Sequence, residues 1–109
     1  MNKEIGKIKA VCFGLNEGRL GVSFTFGSTV GGWGVGTFRG FWSPEIEITK
    51  GTKWTEADRN RAYAETMRFI AEILLKAKRD DVSRLVGVPV EVTFDGGSLK
   101  SWRVLEEAI

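Results

Sequence analysis

The sequence predicts an α+β protein in which an antiparallel sheet of about five strands (β-β-β-α-β-β) is covered on one face by a single long helix. Two observations lead to this prediction. Apolar and polar residues alternate along residues 20–26 and 88–95, which is the period of strands with one buried face. A long stretch after Thr55 repeats its apolar residues at three- and four-residue spacing, which is typical of an amphipathic helix. Neither element buries its apolar side alone, so the helix is expected to pack on the sheet.

The first half of the chain predicts a three-stranded meander. Residues 5–15 form the first strand, which we expect to be buried on both sides towards its end. Residues 16–19 carry a turn signal, because Asn and Gly tolerate positive φ, and residues 20–26 return as the second strand. Residues 35–42 have enough β-branched and aromatic side chains for a third strand. Alternation places three residues together on one face of the first strand: Ile8, Ala10 and Cys12.

The helix follows a break in the pattern. Pro44 removes a ladder donor, so residues 45–53 are expected to form an exposed loop or a short edge strand. Thr55 and Asp58 match a capping box, which predicts the start of a helix of about 25 residues. Its apolar face is predicted to contain Tyr63, Met67, Ile70 and Leu74, widened by Ala62, Phe69, Ile73 and Ala77.

The C-terminal third predicts a short helical turn and a closing hairpin. Residues 82–87 read as one helical turn that ends at a glycine. Residues 88–95 and 99–105 are the last two strands, joined by a glycine-containing turn. Trp102 on the final strand is expected to belong to the core.

Composition limits the classes of function. The 109 residues predict a single domain, 1–109, with a net charge of +2 and charges of both signs mixed along the chain. Histidine is absent, which removes the usual general base and metal ligand, and Cys12 is the only cysteine. No apolar segment has the length of a signal or a membrane span. We therefore expect a cytoplasmic, non-enzymatic protein with no cofactor, no metal and no membrane partner.

The glycine-rich stretch at residues 27–42 is the main candidate for a binding site. Glycine lets another molecule approach the backbone, and the neighbouring rings offer surface for stacking. The stretch lacks a Gly-Lys-Ser/Thr ending and leads into a strand, so a phosphate-binding loop is excluded. A small anionic or nucleotide ligand is expected to meet these candidates: Ser28, Thr29, Gly31, Gly32, Trp33 and Gly34, with Arg39 or Arg19 for charge. The alternative is a purely structural turn.

Three other possibilities remain open. An exposed aromatic hairpin, inserted into a host protein, would use Trp33, Phe41 and Trp42 as hot spots. A nucleic-acid module would place cations around tryptophans, and the candidates are Arg19, Arg39, Lys50, Lys53, Arg59 and Arg61 with Trp33, Trp42 and Trp54. A small polar sheet face would face solvent or pack on a second copy in a homo-oligomer, and it is predicted to contain Ser23, Thr25, Thr37 and Arg39.

Three segments resemble small phage and prophage accessory proteins of uncharacterised function. They are Gly-Gly-Trp-Gly-Val-Gly at 31–36, Leu-Val-Gly-Val-Pro-Val-Glu-Val-Thr-Phe-Asp at 85–95, and Leu-Lys-Ser-Trp-Arg-Val-Leu at 99–105. The resemblance transfers no catalytic residue. It implies a compact, non-enzymatic protein that counters host defence, either by sequestering a nucleotide signal or by docking on a defence protein.

Overall fold

The computed structural model describes all residues, 1–109, and confirms the α+β architecture. The strands are β1 (Asn2–Asn16), β2 (Arg19–Ser28), β3 (Gly34–Trp42), β4 (Pro89–Asp95) and β5 (Ser98–Val104), and the helix is α1 (Glu56–Ala77). Short 3-10 helices span Val82–Leu85 and Glu106–Ala108. All strand pairs are antiparallel, and the sheet order is β3-β2-β1-β4-β5. The predicted meander, the single long helix and the closing hairpin are therefore confirmed.

The central strand β1 belongs to both halves of the sheet. Its start pairs with β4 from Asn2 to Lys7, whereas β2 pairs with it from Gly6 to Asn16. A bulge at Lys9 changes the register between these two halves. The bulge reverses the alternation, so the prediction that Ile8 shares a face with Ala10 and Cys12 is wrong.

The bulge also separates a packed half of β1 from an exposed half. Ile8 is fully buried, but Phe13 and Leu15 near the end of the strand are 47% and 65% exposed. The expectation that this end is buried on both sides is therefore wrong. The reason is topological: β4 leaves β1 after Lys7, so no strand continues beside its C-terminal half.

The helix begins as predicted, because Thr55 accepts a hydrogen bond from the amide of Asp58 and Asp58 accepts one from the amide of Thr55. It has 22 residues, slightly fewer than expected, and Lys78 ends it in the left-handed conformation. Met67 was predicted to be in the apolar face but is 59% exposed, and Thr66 faces the core in its place. The spacing of apolar residues predicts the apolar face of a helix only to within about one residue, and packing against the sheet decides which residue lies at its centre.

The core lies between α1 and one face of the sheet, which we call the helix side. Its fully or nearly fully buried members are Ile8, Val22, Phe24, Phe26, Ile70, Ile73, Ala77, Leu85, Val88, Val90, Val92 and Val104. Trp102 packs at 5.1 Å from Phe24 and 4.6 Å from Phe26, ring centre to ring centre, which confirms its core role. No helix packs on the opposite face of β1, β2 and β3, which we call the outer face.

Register decides which residues of β3 reach each face. Val22 pairs with Arg39 and Phe24 pairs with Thr37, so Arg39 and Thr37 lie on the helix side. The prediction that they share the small polar face of Ser23 is therefore wrong. On the outer face Ser23 lies opposite Phe38 instead. The loop at 43–53 forms no strand, which confirms the exposed-loop alternative.

Candidate binding surface

Trp33, the central residue of the predicted ligand site, is held against the sheet. Its ring lies edge-on to Phe94 at 5.3 Å and packs against the core cluster. A methyl group on Gly6 would come within 2.7 Å of Cη2 of Trp33, so glycine at position 6 makes room for the indole. The amide of Ser28 donates to the carbonyl of Trp33 and closes the loop. This position supports the structural interpretation of the tryptophan.

The loop between β2 and β3 is open and exposed. Gly31 and Gly32 both have positive φ, and nothing lies within 4 Å of a side chain built at either position. The amide of Val30 donates to the hydroxyl of Ser28 in a local turn, while Thr29 stands in solvent. Glycine is required here by backbone conformation, so the loop composition has a conformational explanation.

The two arginines proposed to neutralise a ligand lie on opposite faces. Arg39 is on the helix side, where its guanidinium lies 4.7 Å from the ring centre of Phe69. Arg19 is on the outer face. The structure therefore does not bring Arg39 and Arg19 together beside Trp33.

Arg19 forms a cluster with two aromatic rings of β3. Its guanidinium carbon lies 5.4 Å from the ring centre of Phe38 and 5.6 Å from that of Trp42, within the range of cation–π attraction. The hydroxyl of Tyr63 donates to the carbonyl of Trp42 and fixes this end of β3 to the helix. No acidic side chain forms a salt bridge with Arg19, so its donors remain directed to solvent. We call Arg19, Phe38 and Trp42 the outer cluster.

Glycines form the floor beside the outer cluster. Six of them have the missing side chain on the outer face: Gly14, Gly21, Gly27, Gly34, Gly36 and Gly40. Gly21 and Gly40 approach so closely that a Cβ on either would lie within 2.7 Å of the other's Cα, and packing therefore requires glycine at both. Gly14, Gly34 and Gly36 differ, because a Cβ there would meet nothing closer than 3.4 Å and none has positive φ.

Neither packing nor backbone conformation therefore explains Gly14, Gly34 and Gly36. Glycine also weakens a strand, by about 0.5–1 kcal/mol relative to alanine. A glycine in a strand interior often marks a place where a ligand or another backbone approaches closely. These three positions mark the surface that is left accessible.

Lysines stand at the other end of the same floor. The side chain of Lys9 lies over Gly27, with Cε 3.0 Å from where a Cβ would be, and Lys7 pairs with Gly27 across the strands. Neither lysine takes part in a salt bridge. On the same side of β4 and β5, Arg103 and Glu91 form a salt bridge with each other. The outer face thus has free positive charge at both ends.

Arg103 illustrates a cation that is already occupied. It donates to Glu91 and also makes two hydrogen bonds to Glu107. The bonds to Glu107 and Glu91 raise the pKa of Arg103, and the reciprocal bond lowers the pKa of Glu107. Such a network leaves this guanidinium few donors for an external anion.

Arg59 is another predicted surface cation that the structure uses internally. It is only 2% exposed and donates to the carbonyls of Ser43 and Ile46. Its Nε makes an ionic contact of 2.9 Å with Glu56, and its guanidinium lies 4.7 Å from the ring centre of Trp54. Arg59 therefore does not line an exposed stacking groove, as the nucleic-acid interpretation predicted. Arg59 and Trp54 instead hold the loop against the helix.

The three proposed protein-docking aromatics are separated. Phe41 lies on the helix side with its ring edge-on to Trp54 at 5.1 Å, whereas Trp42 lies on the outer face. Trp33 is at the far end of β3, packed against Phe94. They do not form one contiguous patch.

Sequence reasoning missed Phe38, Gly36, Lys7 and Lys9 as members of one surface. The turn at residues 16–19 carried a usable signal, since a two-residue turn fixes the pairing of β1 with β2. The bulge at Lys9 gave no comparable signal, and it places the Lys9 side chain on the outer face.

No protein family, curated protein or solved structure matches this chain. Nowhere does the structure gather three or more histidine, cysteine, aspartate or glutamate side chains in a group that could hold a metal ion. None of its helices combines the length and the apolar composition needed to cross a membrane.

Proposed function

We propose that this protein binds single-stranded nucleic acid, without catalysis, on the outer face of β1, β2 and β3. The observation that carries the proposal is the outer cluster: Arg19 is held over Phe38 and Trp42, beside a glycine floor in which packing does not require Gly14, Gly34 and Gly36. Single strands bind through base stacking on aromatic rings combined with a basic surface that follows the backbone. The outer face offers both.

The dimensions favour a strand over a mononucleotide. From Arg19 to Gly27 the floor runs eight residues along β2, or about 26 Å at ~3.3 Å per residue. The depression on this face that is lined by Cys12, Gly21 and Phe38 is open to solvent and has a volume of about 380 Å³. Small-molecule sites are usually enclosed clefts that bury most of the ligand. A long, flat surface suits an extended ligand better.

The charges are arranged for such a ligand. Arg19 lies at the aromatic end, and Lys7 and Lys9 lie at the other end of the floor. Bases stacked on Phe38 and Trp42 leave the phosphates free to reach these cations. The phage context and the anti-defence role implied by the resemblance remain predictions.

Fluorescence anisotropy with labelled oligo-dT of 8 and 16 nucleotides tests the proposal, with duplex DNA and mononucleotides as competitors. We expect the oligonucleotides to bind and the mononucleotides to compete weakly. Three released counterions, one each for Lys7, Lys9 and Arg19, predict a log–log salt slope of about −2. Absence of oligonucleotide binding at low salt contradicts the proposal, and stronger binding of mononucleotides favours the small nucleotide ligand.

Matched variants locate the surface. Phe38→Ala is expected to weaken binding by about 10-fold to 100-fold, the usual loss for one stacked base. Gly36→Thr fills the floor in a position where packing leaves room, so it should preserve stability and still weaken binding. Met67→Ala removes an exposed apolar side chain from the far side of α1 and should change nothing. Equal losses for Met67→Ala and Phe38→Ala would place binding elsewhere.

A further inference from the structure

The C-terminal half of β1 is an open sheet edge. After Lys7 its β4 side has no partner strand, and the last contacts there are the hydrogen bonds that join Ile8 to Gly87 and Val88. Beyond Ile8, the only backbone hydrogen bonds of the strand go to β2. This edge is a ready template for pairing with another strand.

The direction of its free backbone groups follows from the turn. Glu17 and Gly18 both have positive φ and form a two-residue turn, so Asn16 and Arg19 make the closing hydrogen-bonded pair. Hydrogen-bonded pairs recur at every second residue in an antiparallel ladder. The amides and carbonyls that point to the open edge are therefore those of Val11, Phe13 and Leu15.

Beyond the bulge at Lys9, the usual protection of an edge strand is missing. Residues 10–15 contain no charged residue and no proline, and Phe13 and Leu15 expose much of their apolar surface beside this edge. The edge strand β5, in contrast, is irregular near Lys100 and carries Arg103. Natural sheets use such charges and irregularities to prevent edge pairing.

We propose that β1 pairs with β1 of a second copy, edge to edge and antiparallel, around a two-fold axis at Phe13. Strands related by such an axis are antiparallel, and the segment is symmetric about Phe13: Val11 and Leu15 flank it on the helix side, and Cys12 and Gly14 flank it on the outer face. Val11 then pairs with Leu15 of the second copy, which gives about six backbone hydrogen bonds.

The uncharged, apolar composition of the segment favours a second copy, which presents the same surface, over a charged partner. The molecule measures 49 × 33 × 19 Å, and its radius of gyration of 15.5 Å exceeds the roughly 13 Å of a compact chain of this length. Since the paired segments are uncharged, two copies meet without repulsion at the edge. The dimer contains one continuous ten-stranded sheet in which the two outer faces adjoin.

Sedimentation equilibrium between about 1 and 200 µM tests the dimer. We expect the wild type to be dimeric at the upper end and Phe13→Lys to be monomeric, because its lysines would face each other across the axis. Leu15→Lys serves as a second edge variant, since Leu15 is more exposed and its folding is less at risk. The matched control is Ile5→Lys, a similarly exposed position in the part of β1 that is paired with β4, and it should remain dimeric.

Disulfide formation tests the register. In the proposed pairing Cys12 lies directly opposite Gly14 of the second copy, and a Cβ at Gly14 meets no atom within 4 Å. Gly14→Cys should therefore give a covalent dimer on mild oxidation. The wild type and the double variant Cys12→Ser/Gly14→Cys should not, because identical thiols would be too far apart across the axis. A wild type that is monomeric at 200 µM overturns the proposal, as does a dimer that both lysine variants leave intact or that Gly14→Cys fails to cross-link.

Discussion

Two arginines of this protein lie over tryptophan rings on opposite sides of the sheet, and they have opposite roles. Arg59 lies 4.7 Å from Trp54 and is buried, with its donors directed to the carbonyls of Ser43 and Ile46. Arg19 lies 5.6 Å from Trp42 on the outer face and has no acidic partner.

An arginine–tryptophan pair is therefore structural when the guanidinium donors bind within the protein, and available to a ligand when they face solvent. A buried guanidinium must satisfy its donors within the protein, because an unpaired buried polar group is costly. An exposed guanidinium over rings keeps its donors free for another molecule. The two faces of the sheet differ in the same way, since side chains on the helix side are packed and those on the outer face are accessible.

The aromatic side chains of the two faces should differ most. Phe24 is nearly fully buried against Phe26, Phe69 and Trp102. Phe24→Ala is expected to lower the free energy of unfolding by about 4 kcal/mol, because it leaves a cavity in the core. Phe38→Ala should cost less than about 1 kcal/mol. Urea denaturation measures both, and similar losses would mean that the outer face is as tightly packed as the core.

The two arginines provide the next contrast. Arg59→Met keeps the length of the side chain but leaves the two loop carbonyls without their donor, so we expect a loss of about 3 kcal/mol. Arg19→Met should change the free energy of unfolding by less than about 1 kcal/mol and weaken oligonucleotide binding. Thermal and urea unfolding of the two variants, measured side by side, test this. A stability loss for Arg19→Met as large as that for Arg59→Met would contradict the distinction.

Two glycines of the outer face should also differ in how much their substitution changes stability. Gly40→Ala forces a methyl group to within 2.2 Å of the Leu20 carbonyl oxygen, and overpacking of this kind costs about 1–3 kcal/mol. Gly36→Ala should be neutral or stabilising by up to about 0.5 kcal/mol, because strands favour alanine over glycine. Denaturant midpoints for the pair measure the difference. If both substitutions destabilise equally, Gly36 has a structural role and does not support a ligand-binding surface.

The capping box of the helix that carries Arg59 should give the smallest effect. Hydrogen bonds from the Thr55 amide and hydroxyl lower the pKa of Asp58 below its ordinary value of 3.8. A lowered folded-state pKa means that the stabilisation is present above pH 3.8 and is lost as the pH falls through the folded value. The difference in free energy of unfolding between the wild type and Asp58→Asn should therefore become smaller as the pH is lowered from 6 to 2. A difference that does not change with pH would show that the lowered pKa of Asp58 does not contribute to stability.

Local sequence signals predicted the elements well because each has a local cause. The capping box at Thr55 and Asp58 starts the helix through hydrogen bonds over three residues. The alternation in β2 predicts its buried face, since successive side chains of a strand point to opposite faces. Turn residues at positions 16–19 place the first hairpin. None of these depends on distant parts of the chain.

The candidate surface was only partly predictable. Arg19 and Trp42 were recognised as candidates, but Phe38 was not, and Trp33 was given a role that its packing against Phe94 does not favour. Side chains of one strand alternate between faces, so a change of one residue in the pairing moves every one of them to the other face. The identity of the ligand-accessible residues therefore depends on register.

The sequence alone was sufficient to predict the strands, the helix and the antiparallel hairpins, because propensity, periodicity and turn chemistry act over a few residues. Strand pairing and packing place Arg39 beside the helix and Arg19 in solvent, bury Arg59, and leave half of β1 as an open edge. The physical reason is that a bulge and a pairing register fix which face a side chain reaches, and both are set by contacts between residues far apart in the chain.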